Sequence, residues 1–228
     1  MIKGRLMKFS LIFKGAFIDL CALGILLNFL SLDQPFYRTM SYYTIQSNIA
    51  CLIFMIVMFV KEWRGMIPSQ KLIRLKGGFT VMIFLTFVIY HFLLRPVIVE
   101  YETDYQVFQL SDILVHYVAP IMMLLDFIFF TERRQFKKID PIWWLVIPLT
   151  YWVYTILYAA FGGVFTIGEE VSHYPYFFLN FDAWGFFGVM LWVLAIMVLY
   201  LLLGYGLLGI GHLIDRYQFK KTSNLTSD

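Results

Sequence analysis

Phe186–Leu208 reads FFGVMLWVLAIMVLYLLLGYGLL and holds no acidic or basic residue. A helix needs about 20 apolar residues to cross about 30 Å of hydrocarbon, and this run meets that length. Working toward the N-terminus, five more runs of the same kind follow: Ile142–Phe161, Asp112–Phe130, Gly77–Val99, Tyr42–Val60 and Leu11–Leu30. They are uniformly apolar rather than alternating, which favours helices over a closed barrel. The expected fold is therefore all-α, a polytopic transmembrane bundle of about six helices. Residues 1–216 form one six-helix transmembrane domain, and 217–228 form a short polar cytoplasmic tail, expected to be disordered.

Composition agrees. Hydrophobic residues make up 61% and charged residues 14%, against about 45–50% and about 25% in soluble domains. The net charge of +3 is too small to point to nucleic acid, and the basic residues flank apolar runs, as a membrane surface requires. Cys21 and Cys51 both lie inside apolar runs and match neither a disulfide framework nor a metal pattern. Lys3, Arg5, Lys8 and Lys14 precede the first run as in a signal peptide, but no small-x-small cleavage site follows. It reads as an uncleaved first helix.

The basic residues are sided. Sixteen of the 18 Lys and Arg fall in the N-terminal segment, in 61–76, in 131–140 and in the tail from Arg216; only Arg38 and Arg95 fall on the other side. That bias predicts a cell-membrane protein with both termini cytoplasmic. The opposite loops are acidic, with Asp33, Glu100, Glu102, Asp104, Asp112, Glu169, Glu170 and Asp182. Trp63, Trp143, Trp144 and Trp184 stand near span ends, where interfacial aromatics sit, and Phe161-Gly162-Gly163 closes span five.

Polar residues inside the spans are costly there and often functional. Thr44, Ser47, Asn48 and Cys51 share one face of span two. Hydroxyls and amides also glue membrane helices together, so this face reads either as a site or as packing. Asp112, His116, Ala119, Pro120 and Met123 share a face of span four, with Asp126 further inside. Span two begins outside and His116 is about one turn from the outer end of span four, so Thr44 and His116 lie at similar depth. A histidine beside a hydroxyl can act as its general base, or can simply bond across the bundle. Asp112 either orients His116 or caps its helix. Ser47 and Asn48 are candidate oxyanion donors. His91 and Arg95 either hold a carboxylate or lipid head group, or Arg95 snorkels to the interface. Asp19, in mid-span one, is expected to be buried against another helix. Gly204, Gly206, Gly209 and Gly211 lack the strand and lysine of a phosphate loop and read as close packing or fraying. His91, His116, His173 and His212 form no compact metal motif, and neither a metal nor another cofactor is expected.

Three segments carry a resemblance: Tyr42-Tyr43-Thr44-Ile45-Gln46-Ser47-Asn48; Asp112-Ile113-Leu114-Val115-His116-Tyr117-Val118-Ala119-Pro120 continuing through Leu125-Asp126; and Tyr174-Pro175-Tyr176-Phe177-Phe178-Leu179-Asn180. Together they resemble the bacterial relatives of the androgen-induced family of multipass membrane threonine hydrolases. The resemblance implies an all-helical intramembrane fold that cleaves lipid or fatty-acid esters. It implies Thr44 as nucleophile and His116 as its partner, with membrane lipids or fatty-acid esters as substrate. The competing class is a small-solute transporter or a non-catalytic structural or sensory protein. Its polar path would continue inward by way of Asp19 and Asp126.

Overall fold

The computed structural model describes residues 2–31, 35–101, 109–131, 133–167 and 170–225. Among the described residues, six stretches are long and apolar enough to cross a membrane: Leu6–Leu30, Tyr43–Trp63, Gln70–Val99, Leu110–Phe130, Asp140–Ala160 and Phe181–Arg216. The chain is an all-helical, multi-pass membrane protein. Its elements in order are α1 (Ile2–Ser31), α2 (Phe36–Thr39), α3 (Tyr43–Trp63), α4 (Gln70–Ile89), α5 (Arg95–Tyr101), α6 (Leu110–Ile113), α7 (Ala119–Phe130), α8 (Asp140–Trp144), α9 (Val146–Ala160) and α10 (Phe181–Leu225). A small antiparallel hairpin, β1 (Phe165–Ile167) and β2 (Glu170–Ser172), lies between spans five and six.

Helices α1, α3, α4 and α7 enclose the main core, through Phe17, Cys21, Met55, Ile83 and Met123, each fully buried. Spans five and six join a second core built on Val81, Leu85, Phe127, Trp144 and Tyr200. Spans three and four each contain a π turn, Tyr90–Leu94 and Leu114–Val118. Both turns end two residues before a proline, Pro96 and Pro120. A proline has no N–H for the carbonyl four residues back, so an α ladder is already broken there. Such π turns occur disproportionately at functional sites. Span five ends as expected, with Gly162 at φ +79 and the Gly163 amide donating to the Tyr158 carbonyl at 2.9 Å.

Several expectations are corrected. Span three begins at Gln70 rather than Gly77, because Arg74 and Lys76 are helical and paired rather than in a loop. Lys14 and Lys76 are 1% exposed and hold the carboxylate of Asp126 between them. Lys14 also meets Glu62 at 3.0 Å, and Ser10 donates to Glu62 at 3.0 Å. These cations are thus interior, not interfacial. Trp144 is buried against Gly77 and Gly78, where any Cβ would collide with its ring; Trp63, Trp143 and Trp184 remain exposed. Asp19 is exposed on the outer surface of α1 rather than packed against a neighbour. Asp112 does not cap its helix; Gln109 occupies that position. Gly204 is in tight contact with Pro141, whereas Gly206 and Gly209 face open space. The polar tail stays helical to Leu225, since extending an existing helix avoids the cost of nucleation. Asp33, Glu102, Asp104 and Glu169 lie outside the described residues.

Candidate functional site

α3 starts at Tyr43 with no side-chain cap from Tyr42. Its first amides need partners, because the opening turn of a helix leaves N–H groups unsatisfied. Two phenols supply them. The Tyr43 amide donates to the hydroxyls of Tyr151 and Tyr176, each at 3.1 Å, and Tyr151 in turn donates to the Ser41 carbonyl at 3.1 Å. Thr44 follows within this first turn, at the positive end of the helix dipole.

The Thr44 hydroxyl is 3.2 Å from His116 Nε2. His116 comes from the π turn of span four, and its ring is stacked on Tyr90 from the π turn of span three, with centroids 3.7 Å apart and planes 10° from parallel. The other ring nitrogen, Nδ1, is 3.2 Å from the Asp112 carbonyl and 3.6 Å from the Asp112 carboxylate. Both neighbours are acceptors, so a neutral His116 carries its hydrogen on Nδ1. Nε2 is then left with a lone pair facing Thr44 Oγ1. The tautomer set by the remote partner is the one that can accept a proton from the hydroxyl.

Ser47 and Asn48 are close but committed elsewhere. The Asn48 amide donates to the carbonyls of Thr44 at 2.8 Å and Val115 at 3.1 Å, and its oxygen accepts from Cys21 at 3.5 Å. The Ser47 hydroxyl is 3.0 Å from both the Thr44 carbonyl and the Thr86 hydroxyl. Neither has a donor left for an oxyanion. They brace the turn that carries Thr44 and tie it to spans three and four. His91 is 3.1 Å from the Tyr117 hydroxyl and stacks with Phe87. It reaches the site through Tyr117, which packs edge-on against Tyr90. Arg95 is half-buried at the start of α5. His173 meets the Gly163 carbonyl at 3.0 Å. Among the described residues, no three His, Cys, Asp or Glu side chains converge as metal ligands would.

Thr44 opens onto an apolar cleft of about 60 Å³ between spans three, five and six. Leu85, Ile89, Trp152, Phe178, Ile196 and Met197 are among its walls, and no charged residue lines it. Tyr176 also lines it, beside the hydroxyl and backbone of Thr44. Burial raises the Tyr176 phenol above its ordinary value, while the contacts with Thr44 pull the other way. Tyr90, Tyr151, Tyr176 and Thr86 were not singled out from the sequence. Tyr176 lies within the Tyr174–Asn180 segment, so that segment was the available signal.

Comparison with family models, with curated proteins and with solved structures returns no match for this chain.

Proposed function

We propose that this membrane protein is an intramembrane hydrolase of lipid or fatty-acid esters, with Thr44 as nucleophile and His116 as general base. The observation that carries the reading is the Thr44–His116 contact with Asp112 behind it, opening on an apolar cleft. In the reaction, Thr44 Oγ1 attacks the ester carbonyl as its proton passes to His116 Nε2. The alkoxide leaving group takes that proton back, giving an acyl-threonine. Water, deprotonated by His116, then attacks the acyl carbon, and the acid departs as Thr44 regains its proton. Threonine is a weak nucleophile at its free pKa, so the adjacent base is essential. The Tyr176 phenol, in contact with the Thr44 hydroxyl, is the candidate donor to the developing oxyanion once its O–H turns toward the bound ester.

The same reading places the chain beside the bacterial relatives of the androgen-induced family, with both termini cytoplasmic and the site near the outer face. The transport alternative has less support. Asp126 is locked between Lys14 and Lys76, Asp19 faces away from the bundle, and Phe17, Met55, Ile83 and Met123 fill the interior between the outer site and Asp126.

The test is labelling by a serine/threonine-directed fluorophosphonate together with turnover of a lipid-ester panel. Thr44→Ala removes both signals, and His116→Ala lowers turnover by about 10²–10⁴-fold, the usual contribution of a positioned base. Wild-type turnover in Thr44→Ala, or a folded protein that cleaves no ester, would show that Thr44 and His116 are only interhelical hydrogen-bond partners.

A further inference from the structure

The lining of the cleft runs from Thr44 in two directions, which define an outward and an inward arm. Upward it passes Leu94 and reaches the turn of Phe178 and Leu179. Inward, the lining residues furthest along spans three and six are Leu85 and Met197. Directly below that level the interior is packed. Val81, Leu85 and Tyr200 belong to one buried cluster with Tyr43 against it. Tyr200 is fully buried with its hydroxyl donating to the Gly78 carbonyl at 3.3 Å, and Tyr43 reaches down to the Met82 carbonyl at 3.3 Å. These two bonded rings make the floor stiff.

The depth of the inward arm follows from helix geometry. Tyr90 stacks on His116, so it marks the level of the nucleophile. Leu85 is five residues deeper on the same span, which at about 1.5 Å per residue is about 7.5 Å. An extended chain with C–C bonds of about 1.5 Å advances about 1.25 Å per carbon, so roughly six carbons fill that distance. We infer that the inward arm is a ruler for the acyl chain, and that the substrates are esters of short to medium fatty acids, with Leu85 and Met197 setting the limit. This rests on the hydrolase reading. It goes beyond that reading because a lipid hydrolase with an open-ended groove would be indifferent to chain length.

The experiment uses p-nitrophenyl acetate, butyrate, hexanoate, decanoate and palmitate with the full-length protein in lipid nanodiscs. kcat/KM peaks near hexanoate and falls at least about tenfold by palmitate, as expected where extra methylenes must be accommodated in a closed pocket. Leu85→Ala moves the optimum to longer chains, and Met197→Trp moves it to shorter ones. In parallel, methyl ketones of the same chain lengths, which cannot be hydrolysed, are added to Thr44→Ala and thermal unfolding is followed. The same chain-length optimum in that Tm series supports the ruler whether or not esters turn over. A profile that is flat or rises to palmitate in the ketone series overturns the ruler, even if Thr44-dependent ester cleavage stands. So do optima that stay put in both variants. Absence of ester turnover with a clear ketone optimum sinks the catalytic reading alone.

Discussion

Asp126→Ala gives the most direct measure of how the end of the bundle around Lys14 and Lys76 is held. The Asp126 carboxylate is fully buried and bridges Lys14, 3.0 Å away, and Lys76. The two lysines do not suffer equally when it goes. Lys14 keeps Glu62 at 3.0 Å, whereas Lys76, whose ion pair among the described residues is with Asp126, loses that partner. Removing one partner of a buried pair typically costs about 3–5 kcal/mol, most of it from the charge left behind. The variant should therefore lose about that much, almost all of it through Lys76. Lys76→Met in the same background removes the stranded charge and should restore most of the loss, because the buried pair is replaced by apolar groups of similar size. Lys76→Met alone should be milder, since Asp126 keeps Lys14. The assay is equilibrium unfolding in bicelles with a steric-trap or denaturant titration, comparing the two single variants with the double. A loss under about 1 kcal/mol for Asp126→Ala, or a double variant no more stable than that single one, would refute the assignment of the cost to an uncompensated Lys76.

Three further outcomes are expected. Asp19→Leu should favour insertion of the first span by about 2.5–3.5 kcal/mol on a translocon scale, because Asp19 is exposed on the surface of mid-span one; a glycosylation-reporter insertion assay reads it, and no change would place Asp19 out of the hydrocarbon. At Gly24 an added Cβ would sit 2.7 Å from Leu114 Cβ, so Gly24→Val should cost about 1–3 kcal/mol and lower turnover by displacing the π turn that carries His116; thermal unfolding and ester cleavage measured together check it, and unchanged values would show that α1 yields freely. For orientation, an impermeant thiol reagent on intact cells should label Val171→Cys and spare Lys138→Cys, with Cys21 and Cys51 silent because they are fully buried; the reverse pattern would invert the topology.

Much of the architecture was legible in the residues. The six spans follow from apolar run length, since nothing but a helix satisfies its own backbone in hydrocarbon. The common depth of Thr44 and His116 was legible as well, though their contact was not. Adjacent spans run in opposite directions, so counting turns from the outer end puts both at one depth, and the structure brings them to 3.2 Å.

Depth, however, is only one coordinate. What a residue faces depends on how each helix is rotated and which helix stands beside it, and hydropathy is nearly silent on both because lipid and core are equally apolar. Asp19 and Asp126 illustrate the point: both are carboxylates within apolar spans, yet one is exposed on the surface of α1 and the other is held by two buried lysines. Lys14 and Lys76 read as flanking charges because a basic residue near a span end normally reaches for water; only the packing of α1, α3, α4 and α7 turns them inward. Asn48 looked like a free donor until its two carbonyl partners were in place. The π turns that aim Tyr90 and His116 at each other are likewise a tertiary result. The prolines Pro96 and Pro120 mark where the ladder must break, but the contact between the two helices decides how the freed turn is used.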